Sequence, residues 1–376
     1  PAPHRRLRLG MVGGGSTWIA HTHANGARLS NRWEVVAGAL SSDPGRAKTA
    51  GRAWLIDEDR VYTDWRAMAR AEAARPDGID AVAIVTPNAL HAPVAAAFME
   101  AGIDIISDKP LAVSLEEAEA LAEKHAGTGL VFGVTYAYAS HAMVRQAREM
   151  VRQGALGALR QVHVEYFQDW AIALTDEGDE VPWRIDTRHG ARSFTMADIG
   201  THAAHMVEFV TGERIAALRA DFHVTGAPKQ LEDTVYAQLR LSGGAPGTLM
   251  ASQVMAGSDC GLRIRVSGSE ATLDWCAETP EVLELRRAGA PAQRITRGQG
   301  AGMTGAAERL VRMPRGHPEA LTDAWANLYL EFAVAIEARR SGRSLPGGLL
   351  AYPDIEEGVR GMRFIEAAIR SDTEQG

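Results

Sequence analysis

Cysteine is almost absent from the 376-residue sequence, in which Cys260 and Cys276 are the two examples. They are not spaced as a C-x-x-C pair, which argues against a disulfide framework and against the sulfur ligands of a structural zinc site. Two isolated thiols are typical of a protein that works in a reducing compartment. We therefore expect a cytoplasmic protein without a bound metal.

A basic excess and long apolar runs are also missing. The 47 acidic residues outnumber the 40 basic ones and give a net charge of -7, which argues against nucleic acid as a partner. The longest apolar runs, such as Ala81 to Val85 and Pro93 to Met99, are too short to span a bilayer. No basic segment followed by an apolar stretch opens the chain, so we expect no secretory signal and no membrane association.

The chain is long enough for two domains. At 376 residues, 46% of them apolar, it exceeds what one hydrophobic core usually serves. The first predicted domain, residues 1–134, alternates β-rich with helical segments, and this alternation predicts a parallel, doubly wound Rossmann sheet that binds a dinucleotide. Its predicted strands are Leu7 to Val12, Trp33 to Leu40, Asp80 to Val85, Ile103 to Ser107 and Val131 to Val134.

Residues 135–376 follow a different pattern. Short β-type segments succeed one another between Ala216 and Arg287, which predicts an α+β domain with a large, mostly antiparallel open sheet. The stretch from Ala288 to Pro318 is predicted to be either a functional loop or a contact between subunits of an oligomer. Two helices, near Leu321 to Arg340 and Ile355 to Arg370, are expected to follow it and can pack back on the first domain.

Three glycines follow the first predicted strand. Gly13 and Gly15 match two glycines of the dinucleotide fingerprint G-x-G-x-x-G, in which the backbone approaches a pyrophosphate, but Trp18 takes the third glycine's place. A simple strand-to-helix turn is the alternative. The predicted cofactor contacts at this turn are Gly13, Gly15, Ser16, Thr17 and Trp18.

The end of the second strand bears on the choice of cofactor. Ser41 and Ser42 stand there with Arg46 after them, and hydroxyls with a guanidinium suit the 2′-phosphate of NADP. Asp43 keeps NAD possible, and a solvated helix-start residue is the alternative for Arg46. The expected cofactor is NAD or NADP, with a preference for NADP.

Two more predicted strands end in polar residues, at the edge of the sheet where the nicotinamide of such a fold lies. Thr86, Asn88 and His91 follow one strand, and Asp108 with Lys109 follows the next. We predict that all five contact the cofactor and that Lys109 also contacts the substrate. A helix-start residue is the alternative for His91.

Asp198 and His202 stand one turn apart in a predicted helix. Oxidation of a secondary alcohol needs a group that takes the hydroxyl proton, and the ordinary pKa of histidine suits that role. We predict His202 as proton acceptor, Asp198 as the residue that binds and orients the substrate, and Lys109 as the cation that stabilises an alkoxide-like oxygen. A helix cap with a packed histidine is the alternative. Metal ligation with His205 is disfavoured, because no fourth ligand of suitable spacing is present.

Three further residues are predicted substrate contacts. Arg184 can donate to hydroxyls while the adjacent Trp183 covers an apolar sugar face. Tyr138 is predicted to line the nicotinamide pocket, or else to pack between domains. His317 ends the long loop, where a residue that simply precedes a helix is the alternative.

Over nearly its whole length the sequence resembles the family of glucose-fructose oxidoreductase, inositol dehydrogenase and the rhizopine-catabolism proteins. The family's T-P-N-x-x-H segment is matched from Thr86 to His91, its E-K-P segment by Asp108-Lys109-Pro110, and its D-x-G-x-H segment from Asp198 to His202. The departures are Asp108 for glutamate and Trp18 for glycine.

The resemblance implies Lys109 and His202 at the reacting carbon with Asp198 beside them. It also implies NADP recognition by Ser41 with Arg46, a late histidine such as His317 at the substrate, and homodimers or homotetramers formed through the open sheet.

The expected activity is hydride transfer between NAD(P) and a secondary hydroxyl of a cyclic polyol or sugar, either an inositol or a free aldopyranose. Two alternatives stay open. One is an NAD-dependent glycosidase that acts through a transient keto sugar, and the other is a nucleotide sensor that has lost catalysis.

Overall fold

The structure is a computed structural model that describes residues 5–15, 17–177, 181–187, 192–298, 300 and 302–374. The chain divides into two compact units, Pro1–Ala137 with Leu321–Val359 and Tyr138–Ala320 with Arg360–Gly376. The first unit thus includes residues 321–359, which the sequence-based division assigned to a domain of residues 135–376. Within the described residues, no helix has both the length and the apolar character needed to cross a membrane.

The described residues form thirteen strands and ten α-helices. The strands are β1 (Leu7–Val12), β2 (Trp33–Ala39), β3 (Ala81–Ile84), β4 (Asp104–Ser107), β5 (Phe132–Val134), β6 (Leu159–Phe167), β7 (Ile215–His223), β8 (Thr234–Leu241), β9 (Pro246–Ser252), β10 (Gly261–Gly268), β11 (Ala271–Cys276), β12 (Val282–Arg287) and β13 (Gln293–Thr296). The helices are α1 (Trp18–Leu29), α2 (Pro44–Ala53), α3 (Trp65–Ala74), α4 (His91–Glu100), α5 (Leu115–His125), α6 (Ala142–Arg152), α7 (Thr201–Thr211), α8 (Gly305–Glu308), α9 (Leu321–Arg340) and α10 (Ile355–Thr373).

The first unit is built on a parallel sheet. Its described strands run in the order β2-β1-β3-β4-β5, and every pairing is parallel. The strands β3 and β4 are buried at every position, because helices cover both faces of such a sheet. This arrangement confirms the predicted doubly wound fold.

Helix α9 packs against α1 in the same unit. An added Cβ at Gly26 would lie 2.8 Å from the Cβ of Trp325, so glycine is what allows the two helices to approach. The buried indole of Trp33 donates to the carbonyl of Tyr329 at 2.8 Å. These contacts join α9 to the core around β1 and β2.

The second unit contains a sheet of eight described strands in the order β13-β12-β11-β10-β6-β9-β8-β7. The pairing of β6 with β9 is parallel and the others are antiparallel. In β8 buried and exposed positions alternate, so one face of the strand is covered and the other is open. Helix α7 contacts β6 and β10. The predicted large, mostly antiparallel sheet is confirmed.

The stretch predicted as a loop from Ala288 to Pro318 is only partly irregular. It contains β13, which pairs with β12 in antiparallel register, and the short helix α8. The predicted loop thus contains two regular elements that the sequence analysis did not predict. The sequence of β13 has no clear alternation of apolar and polar residues, and all four of its residues retain solvent exposure.

Candidate active site

The glycine turn brings three segments of the first unit close together. Gly13 has φ +85 and Gly14 has φ +70, a left-handed backbone that glycine adopts without strain. The amide of Gly13 donates to the carbonyl of Ala39 at 2.9 Å. An added Cβ at Gly13 would lie 2.9 Å from the Cα of Thr86. The turn therefore depends on glycine for both its conformation and its packing.

Helix α1 begins directly after this turn. Its N-cap is Thr17, whose amide and hydroxyl both donate to the carbonyl of Gly14, at 2.9 and 3.1 Å. Trp18 is the first helical residue and is 67% exposed. The N-terminus of a helix favours an anion through its free amides and its dipole. Ser16 lies outside the described residues.

The carboxylate at the end of β2 is engaged by the neighbouring arginine. Asp43 caps α2 by accepting from the Arg46 amide at 2.7 Å, and its Oδ1 lies 3.8 Å from Arg46 Nε. The hydroxyl of Ser41 accepts from the Asp43 amide at 3.2 Å. The Arg46 side chain is 80% exposed, and Ser42 is exposed as well. The negative charge of Asp43 is thus partly neutralised where an adenosine ribose would bind in this fold.

His91 links the two polar strand ends of the first unit. Its ring is buried, with Nδ1 at 2.7 Å from the Pro110 carbonyl and Nε2 at 2.9 Å from the Thr86 carbonyl. Burial lowers the pKa of His91, and a neutral ring donates to only one of the two carbonyls. His91 therefore supports the backbone on either side of the predicted nicotinamide position. Asn88 begins the short 3₁₀ turn that precedes it.

Asp108 fixes the backbone at Lys109. Its Oδ1 accepts from the Lys109 amide and from the hydroxyl of Thr135, both at 2.8 Å. The amide of Asp108 donates to the carbonyl of Ile84 at 3.0 Å, which continues the pairing of β4 with β3. Lys109 is half-buried and precedes a cis peptide bond to Pro110. The shorter acidic side chain at position 108 thus makes contacts that hold the Lys109 backbone.

In the second unit, Asp198 lies in a π-helical turn that runs into α7. The turn spans Met196–Gly200, whereas the sequence analysis expected Asp198 and His202 one turn apart in a regular helix. A π turn inserts an extra residue, and such turns are frequent at functional sites. His202 is the second residue of α7 and is half-buried. Asp198, the predicted substrate-binding residue, and His202, the predicted proton acceptor, therefore lie on one continuous helical segment.

The Asp198 carboxylate is held by two side chains from other parts of the unit. Its Oδ2 accepts from Nε2 of Gln253 at 2.8 Å and lies 4.0 Å from Arg184 Nε. Gln253 is fully buried, and its Oε1 accepts from the hydroxyl of Thr195 at 2.9 Å. Gln253 is thus fixed at both ends of its amide. Sequence reasoning missed it, although a polar residue after the apolar strand β9 is a usable signal.

A buried carboxylate caps the start of the π turn. Glu232 accepts at Oε1 from the amides of Phe194 and Met196, at 3.1 and 3.0 Å, and from the hydroxyl of Ser193. Its burial raises the pKa of Glu232 to about 7. The segment that carries Asp198 is therefore anchored at its beginning by a residue that the sequence analysis did not single out.

His202 packs against a pair of tyrosines. The Tyr138 ring meets it edge-on at 5.3 Å between centroids, and Tyr166 lies 6.3 Å away. The two tyrosine hydroxyl oxygens are 2.6 Å apart, and each is within hydrogen-bonding distance of the Cys260 sulfur. Burial raises the pKa of both tyrosines. They therefore stay neutral and form a fixed wall beside the imidazole.

Comparison with known proteins decides the family. Residues 7–136 match the profile of the oxidoreductase family with an NAD-binding Rossmann fold, and residues 144–274 match that of the GFO/IDH/MocA C-terminal domain. The chain is 36% identical to an uncharacterized oxidoreductase, YfiI, of Bacillus subtilis (strain 168), over 97% of this chain and 94% of the relative. The chain belongs to the GFO/IDH/MocA oxidoreductase family.

Solved structures of similar proteins agree with this assignment. An oxidoreductase from Sinorhizobium meliloti has 40% sequence identity and a TM-score of 0.89, with 99% of both chains covered. An inositol dehydrogenase homolog from Azotobacter vinelandii, complexed with NADH and myo-inositol, has 38% identity and a TM-score of 0.90, with 99% of this chain and 97% of that one covered. These similarities confirm the resemblance drawn from the sequence motifs.

The Rossmann unit of this oxidoreductase fits a dinucleotide. The glycine turn leads into the N-terminus of α1, as the fold requires. Beside it, the buried Oγ1 of Thr86 has no hydrogen-bond partner among the described residues, and a buried hydroxyl without a partner is costly. A cofactor at this edge of the sheet would be held by the turn backbone and can satisfy that hydroxyl.

The structure brings the predicted residues of each unit together to different degrees. In the first unit, the His91 ring lies within hydrogen-bonding distance of the Thr86 and Pro110 carbonyls, and Asp108 accepts from the Lys109 amide. In the second, Arg184 lies beside Asp198, the Tyr138 ring packs against His202, and Asp198 and His202 share one helical segment. His317 is exposed, and the contacts described for it involve its backbone, whose carbonyl accepts from Arg297.

The metal alternative gains no support from the described side chains. None of their His, Cys, Asp and Glu residues form a group of three or more that could hold an ion. His205, the third residue of that alternative, stacks on Phe209 at 5.7 Å between centroids.

Proposed function

We propose that this oxidoreductase transfers hydride between NAD(P) and a secondary hydroxyl of a cyclic polyol or sugar. The observation that carries the proposal is the fixed Asp198 carboxylate, held by Gln253 at 2.8 Å with His202 on the same helical segment. A fixed carboxylate accepts hydroxyl hydrogen bonds in a set direction, and an imidazole nearby is a suitable acceptor for the hydroxyl proton.

Each of three side chains has a separate role in the proposal. His202 accepts the proton of the reacting hydroxyl. Asp198 accepts hydrogen bonds from the substrate and orients its ring, while Lys109 stabilises the negative charge that develops on the oxygen. The bound nicotinamide supplies the hydride acceptor. Tyr138 and Tyr166 hold the imidazole edge in place, which limits the rotamers that His202 can sample.

An inositol or a free aldopyranose is the proposed substrate. The similar protein from Azotobacter vinelandii is complexed with myo-inositol, and this supports a polyol of that size. The described site also favours an uncharged sugar or polyol ring, because the positive charge of Arg184 is already paired with the Asp198 carboxylate. A phosphorylated sugar would compete with the carboxylate for this cation.

For the nucleotide we propose that NADP is accepted, and preferred over NAD, through Ser41, Ser42 and Arg46. The engagement of Asp43 by Arg46 supports this, because a neutralised carboxylate repels a 2′-phosphate less strongly. We also propose a homodimer or homotetramer that uses the open face of the second sheet, where Arg263 and Arg265 both donate to Asp274.

The test is the absorbance of reduced nicotinamide at 340 nm with purified protein. NAD and NADP are offered in parallel with a panel of inositols, D- and L-aldoses and their keto forms. Reduction of either nucleotide by a cyclic polyol or aldose is the expected result and also ranks the hydroxyl stereochemistry. If no compound of the panel changed the absorbance at 340 nm in either direction while nucleotide binding was still measurable, the result would contradict the proposal. It would favour the glycosidase or the sensor.

A further inference from the structure

Large apolar side chains are exposed on two neighbouring segments, one that follows β6 and one that follows β9. Trp170 is 49% exposed, Ile172 42% and Met255 38%. The Met255 amide donates to the carbonyl of Gln168, and the Ala171 amide donates to that of Gln253, so the two segments lie side by side. Trp183, later in the same loop region, is 42% exposed. A surface of this kind marks an interaction site more often than scattered single residues do.

The Trp170 indole is held rigidly although half of it is exposed. Its Nε1 donates to Oε1 of Gln168 at 3.0 Å, and its ring meets the buried Phe194 ring edge-on at 5.8 Å and 89°. Gln168 also accepts from Gln253 at 3.3 Å, which in turn donates to Asp198. A chain of hydrogen bonds therefore connects the exposed indole to the proposed substrate carboxylate.

Arg184 connects the second indole to the same carboxylate. Its guanidinium carbon lies 4.4 Å from the centroid of the Trp183 ring and 5.9 Å from that of Trp170. Its Nε is 4.0 Å from Oδ2 of Asp198. The two exposed indoles and the Asp198 carboxylate are thus neighbours of one guanidinium.

This surface has the chemistry of a carbohydrate subsite. A fixed indole packs against the C–H face of a sugar ring, and a guanidinium donates to the hydroxyls at its edge. Because the indoles are held in place before binding, little conformational entropy is lost when a ring packs on them. Phosphate is not favoured, since Arg184 already pairs with Asp198.

We propose that Trp170, Trp183 and Arg184 form a second carbohydrate subsite and that the enzyme oxidises glycosides of two rings. The inference rests on the proposed function, in which Asp198 binds the ring that is oxidised. The second ring, joined by a glycosidic bond, packs on the indoles, while the reaction on the first ring is unchanged.

The experiment compares one-ring and two-ring substrates in wild type and in the variants Trp170→Ala and Trp183→Ala. The one-ring probe is myo-inositol or the best free aldose, and the two-ring probe is the same ring with a pyranose attached, such as an α-galactosyl inositol or cellobiose. The control is Trp65→Ala in the first unit, which removes an indole that is likewise stacked by an arginine, with Arg66 at 3.8 Å.

Wild type is expected to use the two-ring probe with the higher kcat/KM. Each subsite variant should lower the ratio of two-ring to one-ring kcat/KM by about tenfold, as loss of an aromatic anchor does, and Trp65→Ala should leave the ratio as it is. An unchanged ratio in both subsite variants would overturn the proposal. So would an equal loss on both probes, whether or not the oligomer mass falls, because the indoles would then serve the first ring or a subunit contact.

Binding gives a readout that does not depend on turnover. Quenching of tryptophan fluorescence by the two-ring probe should saturate at lower concentration than quenching by the one-ring probe, and the difference should vanish in both variants. If wild type oxidises neither probe but shows this difference, the proposed reaction fails while the subsite stands. If wild type oxidises the one-ring probe and binds the second no more tightly, the subsite proposal fails alone.

Discussion

Gln253 donates a hydrogen bond from Nε2 to Oδ2 of Asp198 at 2.8 Å, across 55 positions of sequence. The amide oxygen accepts from the Thr195 hydroxyl, and Nε2 also donates to Gln168 at 3.3 Å, so contacts at both ends set the orientation of the amide. Thr195 directly precedes the π turn that carries Asp198. Gln253 therefore acts as a positioning residue that ties the carboxylate to the backbone segment before it.

Replacement of Gln253 tests this role. Gln253→Leu removes the donor to Asp198 and leaves the Thr195 hydroxyl buried without its acceptor, so kcat/KM for the sugar or polyol should fall by about tenfold or more, given about 1.5–3 kcal/mol for a hydrogen bond to a charged group. Affinity for NADH should stay unchanged. The exposed Gln238→Leu on β8 is the matched control. Equal kinetics in Gln253→Leu and wild type would show that Asp198 needs no such support.

Glu232 should make stability depend on pH. Its folded pKa of about 7 lies above the ordinary value of a glutamate, so the folded protein holds a proton that the unfolded chain has lost. Its contribution is complete below the unfolded pKa and disappears as pH rises through the folded pKa. Relative to Glu232→Gln, wild type should lose up to about 3 kcal/mol between pH 4.5 and 7, with no further change above.

Urea unfolding followed by fluorescence at pH 5, 6, 7 and 8 measures this difference. The glutamine can still accept from the Phe194 and Met196 amides, so the variant should fold. Glu270→Gln, at an exposed position of the same unit, is the control and should follow wild type. A difference between wild type and Glu232→Gln that is constant over this range would mean that the carboxylate titrates normally.

The sequence predicted the strands well because they depend on local apolar patterns. Both sheets agree with the pattern-based expectation, as do the bounds of β1, and those of β4 differ from it by one residue. The strand β13 was missed, since its sequence has no apolar alternation and its pairing with β12 is what makes it a strand. The order of strands likewise depends on pairing between distant segments, which no local pattern predicts.

The sequence predicted the residues proposed to act on the substrate, but not the residues that hold them in position. Asp198 and His202 are recognisable as a spaced pair, yet the spacing alone does not distinguish an α turn from the observed π turn. Gln253 and Glu232 reach the same segment from 55 and 36 positions away. No local pattern encodes such contacts, because they join segments that are distant in the sequence.

The glycine turn should tolerate no side chain at Gly13. Gly13→Ala places a Cβ 2.9 Å from the Thr86 Cα and strains a left-handed backbone, so NADH affinity should fall by about tenfold or more as Thr86 is displaced. Gly102→Ala is the matched control, since Gly102 is also left-handed but has open space around its Cα. Both variants should lose about 1–2 kcal/mol of stability from strain, and only Gly13→Ala should weaken binding in a fluorescence titration.

Arg46 should decide the preference between the two nucleotides. Its exposed guanidinium is expected to pair with a 2′-phosphate, so Arg46→Ala should lower kcat/KM for NADP by about tenfold or more while kcat/KM for NAD changes by about twofold or less. Arg52→Ala on the same helix, whose guanidinium bonds Glu58 at 2.9 Å, is the control. An equal loss of kcat/KM with NADP and NAD would show that Arg46 does not recognise the 2′-phosphate.

Lys109 and His202 should be needed for the chemical step and not for nucleotide binding. Lys109→Ala removes the cation that stabilises the developing alkoxide, and His202→Ala removes the proton acceptor, so kcat should fall by about 10²- to 10⁴-fold in each. The Kd for NADH, measured by its fluorescence, should remain that of wild type. Lys124→Ala and His163→Ala, at exposed positions, serve as controls with full turnover. A variant at position 109 or 202 that kept near wild-type kcat would remove that residue from the mechanism.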